Sequence, residues 1–423
     1  MKTPSAFILL LLLSYGTLHS QITNSPYSIL GIGDIENDYY NRTGGMANTG
    51  QAYRSDRFLI NNNPASYTAL QRQFFSFELS GRGQFINYYG SPLNGSSASG
   101  KDFALKRLSV GTKITKWWGS SAGLMPYSSS NYLFSYPKNI RGTNSSVPAT
   151  VDGSGGINQV YWGNAFEPFK HFSVGIHAAY LFGSLSETED LAENGLATAL
   201  STTQQTFYKN FNFTYGAQYY APISKHLDIS IGGTYSPAHK LAADATLTVT
   251  DNTTQISSTS LIKNNVDFNL PNSSGFGFSL TKDKKYTLSG DYKYAAWSST
   301  NNNIGINAAL KNSSRASLGF EISNKQTVYN TVLIEKKYLQ AGVYYGTSYL
   351  QINGQQLKEM GLTLGYGVNS KRNPQLGVSL GLDVGQRGTQ QNGLIKENYV
   401  NFTLTVTYRD IWRTRGVGYF KYY

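Results

Sequence analysis

The sequence predicts an all-β fold, a transmembrane antiparallel β-barrel of about 14 strands with an N-terminal plug. Strict two-residue alternation of apolar and polar residues recurs from about residue 74 to 409, and no helical period competes with it. Charged residues make up only 14% of the chain, whereas soluble domains carry about 25%. A barrel that turns apolar side chains to lipid and small polar ones to its lumen accounts for both observations.

Residues 1–20 have the pattern of a secretory signal peptide. Lys2 supplies the positive charge, residues 7–13 form the apolar core, and Ser20 offers a small residue for cleavage. The apolar run is too short for a membrane helix, which needs about 20 residues. The alternative is a buried N-terminal helix. With cleavage, the mature chain begins near Gln21.

Residues 21–73 do not alternate and are rich in Gly, Asn and Asp. Ile29, Leu30 and Leu59 are residues that can pack, so the segment is more than a linker. We expect it to fold back as a hatch that plugs the lumen; the alternative is an independent periplasmic tail. The hatch residues expected nearest the barrel wall are Asn61, Asn62, Asn63, Pro64 and Ala65.

Residues 74–409 carry the alternation that predicts the barrel. Residues 376–384, 172–182 and 400–408 alternate strictly. The predicted strands have about ten residues or more, which fits a tilted membrane crossing better than the shorter strands of a soluble sandwich. The predicted strands are 74–89, 104–117, 119–136, 155–167, 170–186, 204–221, 225–250, 255–282, 284–297, 314–324, 336–350, 357–369, 375–388 and 398–409.

The links between these strands predict the orientation. Every second link is short, as at residues 167–171 and 223–226, and those between are mostly long and polar, as at 137–154 and 184–203. Short turns belong on the periplasmic side of an outer-membrane barrel and long loops outside. Both termini are then periplasmic, with a C-terminal tail at 410–423.

Several function classes find no support in the sequence. The absence of cysteine excludes disulfides, thiolate metal sites and a thiol nucleophile. The five histidines lack metal-ligand spacing and no G-x-S-x-G occurs, so we predict no enzyme, cofactor or metal. The net charge of +12 is scattered along the chain. It therefore indicates contact with anionic outer-membrane lipid or lipopolysaccharide, with no nucleic acid as a partner.

A set of polar residues falls on the lumen-facing register. Charges on the lipid face would cost about 2–4 kcal/mol at mid-bilayer, so inward placement is expected whatever the function. They are expected to pair across the lumen or to anchor the hatch, and His177 either touches a ligand or only makes the lumen polar. The set is His177, Asp228, Asp291, Lys293, Arg315, Glu321 and Asp383.

The third predicted strand contains Gly123 and Pro126. Proline cannot donate to a strand ladder, so Pro126 indicates either a kink or gap in the wall or the end of the strand. Gly123 would permit a bend without a side chain that blocks an opening.

Six stretches of the chain resemble one known family. They resemble FadL-type long-chain fatty-acid transport barrels, in the branch common in Bacteroidota, over nearly the whole mature chain. The stretches are 24–28, 31–34, 61–67, 348–356, 385–389 and 392–399.

The resemblance implies a fourteen-stranded barrel with an N-terminal hatch. A hydrophobic ligand would enter from outside and leave sideways at a kinked third strand, where Gly123 and Pro126 fall. It therefore implies passive outer-membrane transport of a long-chain fatty acid or similar lipophile. The alternative is an accessory barrel of an outer-membrane secretion or barrel-assembly complex, with other outer-membrane proteins as partners. An apolar pocket behind the hatch would favour transport; a filled lumen and an apolar extracellular loop would favour the accessory role.

Overall fold

The chain folds as an all-β barrel in the computed structural model. The structure describes residues 25–90, 98–139, 142, 146–193, 196–262, 266–305, 307–328, 332–370 and 375–411. The predicted signal peptide (1–20) and most of the predicted C-terminal tail lie outside these residues. The wall strands are β1 Phe74–Tyr89, β2 Ala98–Lys113, β3 Trp118–Ser129 continued by Tyr132–Asn139, β4 Ser146–Phe169, β5 Phe172–Glu193, β6 Leu196–Ser224, β7 Leu227–Ser236 continued by His239–Asp251, β8 in three pieces (Ile256–Ile262, Phe268–Leu270 and Ser273–Lys282), β9 Tyr286–Ala295, β10 Ser313–Val328, β11 Val332–Ile352, β12 Gln355–Asn369, β13 Leu376–Gly388 and β14 Lys396–Ile411.

Short elements complete the described residues. Asp34–Ile35 pairs with β3, and Ala308–Leu310 pairs with β11. The 3-10 helices are Pro26–Ile29, Arg42–Met46, Pro64–Ala69, Trp297–Ser299 and Gln391–Gly393.

Each wall strand pairs antiparallel with the next, and the last pairs with the first. The β1–β14 ladder runs from Phe74 opposite Ile411 to Tyr89 opposite Lys396, which closes the sheet on itself. Closure removes the free edges that lipid does not tolerate, apart from the interrupted ladders described below. The predicted all-β barrel of fourteen strands is confirmed in the described part of the chain.

The two ends of the barrel differ. At the end that we call the turn end, short links join β4 to β5 and β6 to β7. At the opposite loop end, β3 to β8 extend as a sheet that we call the loop-end sheet (Tyr132–Asn139, 146–155, 184–193, 196–207, 242–251 and Ile256–Ile262). The expectation of long polar loops at 137–154 and 184–203 was wrong for most of these residues. Most of their residues are polar, which hid the short alternation of Val147, Ala149 and Val151, and ladder hydrogen bonds hold them extended.

The outward face of the wall is apolar. Leu380 on β13 and Phe402 and Leu404 on β14 are exposed on this face. The residues that alternate with them along each strand face the lumen. Among the described residues, no helix is both long and apolar enough to cross a membrane.

Residues 25–70, which we call the plug segment, precede β1 and are largely buried. Three 3-10 helices and one two-residue strand, Asp34–Ile35, are the regular structure within it. The segment hydrogen-bonds to inward-facing side chains on opposite sides of the wall, on β2, β6, β9 and β12. Only a position inside the barrel allows these contacts together, so the buried core of the molecule is its filled lumen.

Candidate functional site

The predicted hatch residues Asn61 to Ala65 lie against the wall. The Asn63 side chain donates to the carbonyl oxygens of Ala217 on β6 (3.1 Å) and Gly233 on β7 (3.2 Å). A Cβ added at Gly216 would lie 2.1 Å from the Asn63 side-chain oxygen, and one added at Gly175 would lie 2.6 Å from the Ala65 nitrogen. The wall therefore needs glycines here so that the plug segment can approach its backbone.

Local capping gives the plug segment its shape. The Asn63 side-chain oxygen accepts from the Ala65 nitrogen (3.0 Å), and Pro64 occupies the first position of the 3-10 helix, where no N–H is needed. Asn41 caps the helix at Arg42–Met46 in the same way. Asn62 joins the two turns, since it accepts from Asn41 (2.9 Å).

Arg42 is the strongest ionic contact between plug segment and wall. Its guanidinium lies 2.9 Å from Glu321 on β10 and 2.6 Å from Glu335 on β11, and all three side chains are buried. The guanidinium also lies 3.8 Å from the centre of the Tyr338 ring. Burial alone would lower the pKa of Arg42, but the two carboxylates outweigh it and raise the pKa well above its ordinary value.

Glu36 makes the second ionic contact, with Lys106 on β2 (2.7 Å) and Arg82 on β1 (3.5 Å). Burial would raise the pKa of Glu36, but the two cations lower it to about 2. A register shift in the β1–β2 ladder opposite Ser80 makes this possible, because Lys106 and Arg107 both turn inward. A bulge of this kind lets adjacent residues share one face of a strand.

Two further ionic contacts complete the set. Asp34 of the plug segment pairs with Arg387 on β13 (2.8 Å), which also holds Glu397 on β14. Arg107 pairs with Glu78 on β1 (2.6 Å) and donates to Asn61 of the plug segment. Buried charges need such partners, because an unpaired one is strongly destabilising.

The structure places six of the seven predicted lumen residues in contact with the plug segment or with other inward-facing side chains. His177 contacts the Tyr67 hydroxyl (2.5 Å), Asp291 accepts from the Gly50 nitrogen (2.7 Å), and Glu321 holds Arg42. Lys293 lies over the Tyr39 ring, Arg315 pairs with Glu359, and Asp383 accepts from Tyr344 and Asn401.

Asp228 is the exception. It shares the inward face of β7 with Ser230, but it is exposed because it lies one residue from the start of the strand, at the turn end. It therefore takes no part in filling the lumen. Period-2 alternation gives the face of a residue but not its depth along the strand.

The loop half of the lumen holds a large apolar cluster beside the ion pairs of Arg387. Tyr27 and Ile32 of the plug segment pack there among inward-facing residues of the wall, and Trp297 stacks within 4.8 Å of Tyr349. The other buried members of this cluster are Ile157, Leu181, Tyr208, Leu241, Phe268, Leu270, Leu310, Leu350, Leu357 and Leu394.

Two cavities of very different size accompany this packing. One of about 20 Å³ lies between Arg42, Asp38 and the wall, and it has room for about one water molecule. The other, of about 1360 Å³, is lined by Phe103, Leu364, Leu404 and other side chains that face outward from the wall. The large concavity therefore lies on the lipid-facing side of the barrel.

Two ladders of the wall are interrupted in the described part of the chain. Between β6 and β7 the break is short, from Lys209 opposite Ala242 to Tyr215 opposite Tyr235. The longer break lies between β2 and β3. β2 pairs with β3 only from Leu108 opposite Leu124 to Lys113 opposite Gly119. Within the described residues, the stretch Ala98–Arg107 has no ladder on its β3 side, and β3 pairs with Asp34–Ile35 of the plug segment instead. We call the facing edges of β2 (98–107) and β3 (125–129) the seam.

Gly123 and Pro126 both border the seam. The β3–β4 register shifts between Pro126 and Ser128, so the strand is irregular at the proline. A Cβ at Gly123 would lie 2.4 Å from the Leu108 carbonyl oxygen, so this glycine serves a close approach of two strands. The gap in the β2–β3 ladder begins after Leu124, the last residue of β3 that pairs with β2.

Sequence reasoning missed the residues that hold the plug segment. Arg42 lies in a segment without alternation, so nothing in the pattern marks it. Arg107 follows Lys106, and strict alternation would turn one of the two to lipid; adjacent basic residues in a membrane strand are the available signal of the bulge. Glu78 lies on an inward register and was within reach of the pattern argument. Glu335 faces inward only because the β10–β11 register shifts between Asn324 and Lys325, so strict alternation would have turned it outward.

Comparison with known proteins assigns the chain to a family. The model of the family described as BamG matches residues 1–416. The chain belongs to the BamG family. No curated protein matches the chain. The sequence resemblance to FadL-type barrels is therefore confirmed at the level of fold, while the matching family model carries a different name; the Bacteroidota branch stays a prediction.

Solved structures of hydrophobic-compound channels share the fold of this BamG-family chain. A Pseudomonas aeruginosa FadL homologue is 11% identical with a TM-score of 0.58, covering 88% of this chain and 98% of its own. The P. putida toluene transporter TodX is 15% identical (TM-score 0.57, 89% and 100%), and the CymD monoaromatic hydrocarbon channel is 15% identical (TM-score 0.55, 90% and 99%). With its apolar outward face, the chain is an outer-membrane β-barrel.

Proposed function

We propose that this BamG-family chain is a closed accessory barrel of an outer-membrane secretion or barrel-assembly complex. The observation that carries the proposal is the lumen, which the plug segment fills and to which it is fixed by buried ion pairs on β1, β2, β10, β11 and β13. A barrel held shut in this way is suited to binding partners with its outer surfaces.

The ion pairs make a moving hatch costly. Withdrawing Arg42 would leave Glu321 and Glu335 as unpaired buried charges, and breaking a buried pair costs about 3–5 kcal/mol. Glu36 and Asp34 hold other sides of the same segment, so these costs would arise together.

The loop-end sheet offers a surface for a partner. Leu133 on its first strand and Ile256 and Leu261 on its last strand are exposed beyond the filled lumen. These three side chains are the positions of the sheet at which contact with a partner can be tested. An apolar extracellular element is also the feature that the sequence analysis associates with an accessory role.

Native mass analysis tests this proposal. The tagged chain, expressed at its natural level and extracted in mild detergent, should elute with an outer-membrane protein in fixed stoichiometry. Leu261→Asp should reduce that recovery. Thr259→Asp, on the same strand and face, should leave it unchanged. A chain that elutes alone at its own mass would contradict the accessory function.

Passive transport of a lipophile is the second candidate, and the seam is the observation that favours it. A sideways exit avoids release into water, where each CH₂ of an acyl chain would lose about 0.8 kcal/mol of burial. On this account, the plug segment is a hatch and Pro126 keeps the exit open. Pro126→Val should then slow uptake of labelled fatty acid, with Pro222→Val on β6 as the control. Equal uptake by the parent and Pro126→Val would remove the lateral route.

The same proposal includes the orientation of the barrel in the outer membrane. Both termini would lie in the periplasm, with the turn end, and the loop-end sheet would lie outside the cell. Cysteine is absent from the chain, so single cysteines report orientation directly. An impermeant thiol reagent should label Ser258→Cys on intact cells and leave Ser224→Cys unlabelled; the reverse pattern would invert the barrel.

A further inference from the structure

The seam leaves a row of backbone groups on β2 without ladder partners. The β1–β2 ladder continues to Tyr88 opposite Ala98, whereas the β2–β3 ladder stops at Leu108. Within the described residues, the stretch Ala98–Arg107 is therefore a strand paired on one side only.

The plug segment does not cover this edge. Asp34 and Ile35 pair with Ser129 and Ser128 of β3, and the Glu36 nitrogen donates to the Tyr127 carbonyl oxygen (3.0 Å). The contact of Glu36 with β2 is made by side chains, through Lys106. The β3 side of the seam is thus partly paired and the β2 side is open.

The position of the open β2 edge determines what kind of molecule can bind there. Phe103 and Leu105, at 69% and 65% exposure, project outward from the open stretch, so the stretch lies within the apolar band. Lipid tails cannot hydrogen-bond to free N–H and C=O groups, and water is scarce at this depth. A second extended polypeptide satisfies such a row residue by residue and also packs alternate apolar side chains beside Phe103 and Leu105.

We propose that the open edge of β2 binds an extended, alternately apolar strand of a partner outer-membrane polypeptide. This deepens the accessory function and rests on it. The ion pairs of Lys106 with Glu36 and of Arg107 with Glu78 keep the edge in position, because they fix the bulge just below it. The loop-end sheet begins at Tyr132 on the other side of the seam, so the two surfaces are continuous.

Site-directed capture by a peptide tests strand addition. The probe is a lysine-flanked peptide with the sequence of residues 400–408, the alternating run of β14, carrying one activated disulfide at its centre. Phe103→Cys and Leu105→Cys place single thiols beside the open edge. Leu362→Cys is the control, because Leu362 is equally outward at 62% exposure and lies on a strand paired on both sides.

The purified full chain in micelles should react at least about tenfold faster at positions 103 and 105 than at 362, because backbone pairing holds the peptide there. A peptide methylated on alternate backbone nitrogens keeps its apolar side chains and should lose this preference. Equal reaction at all three positions, a preference retained by the methylated peptide, or no capture by barrels shown to be folded would each overturn the proposal.

These results are separable from the test of the accessory function. A native complex without peptide capture would reject strand addition alone. Peptide capture by a chain that elutes without partners in its own membrane would reject the accessory function and leave the edge as a binding site.

Discussion

The two halves of the filled lumen use different chemistry. In the loop half, Tyr27 and Ile32 pack against apolar side chains of the wall. Toward the middle of the barrel, Glu36 and Arg42 meet charges of opposite sign. Apolar packing tolerates small shifts, whereas a buried charge is stable only opposite its partner. The charged half therefore sets where the plug segment sits, and the apolar half adds burial.

The largest expected effect is in the charged half. Arg42→Met should weaken retention of the plug segment by about 3–5 kcal/mol, because Glu321 and Glu335 stay buried without a cation. Hydrogen exchange of the plug amides measures this loss. Lys209→Met is the matched control, since its pair with Asp244 is exposed to solvent, which screens it. Equal protection in Arg42→Met and the parent would show that the pair does not hold the segment.

A somewhat smaller effect is expected in the apolar half. Ile32→Ala should cost about 2–5 kcal/mol by loss of burial and creation of a cavity. Ile32→Val, which removes one methylene, should cost about 0.5–1.5 kcal/mol. The same exchange experiment should show loss of protection confined to residues near Ile32. Spread of the loss to the amides around Arg42 would mean that the halves do not act separately.

Tyr67→Phe should have a modest effect. It removes the hydroxyl that contacts His177 (2.5 Å) and Asn61 (3.1 Å) while keeping the ring. Loss of one hydrogen bond costs about 1 kcal/mol, with more if the partner is left unsatisfied. Denaturation in urea should report the change; Tyr286→Phe on the outward face is the control. If Tyr67→Phe destabilised the protein as much as Arg42→Met does, the expected order of these effects would be contradicted.

One effect in the charged half depends on pH. Ion pairing lowers the pKa of Glu36 to about 2, below the value of about 4.3 for an unfolded chain. A lowered pKa contributes stability that is fully present above the unfolded value and is lost as pH falls through the folded value. Glu36→Gln should therefore be less stable than the parent at neutral pH, and the difference should vanish near pH 2. A difference that is constant with pH would show that the carboxylate charge is not the cause.

The fold was predictable from the sequence because lipid and lumen impose a period of two on every membrane strand. The strands of the loop-end sheet were not, because most of their residues are polar; at 146–154 only Val147, Ala149 and Val151 alternate as apolar residues, too short a run to predict a strand. In the lumen, inward registers marked Glu321 and Asp291, but their partners Arg42 and Gly50 come from a segment with no periodic signal. Contacts between a regular wall and an irregular plug segment depend on the tertiary arrangement alone.

The central claim is that the lumen stays filled while the protein functions. The Ala47 nitrogen donates to the Thr363 hydroxyl on β12 (2.9 Å), which makes the pair Ala47→Cys and Thr363→Cys a tether between plug segment and wall. Flux of a labelled fatty acid into proteoliposomes should match that of empty vesicles whether the tether is oxidised or reduced. Uptake by the reduced protein that stops on oxidation would show a moving hatch and contradict the closed barrel.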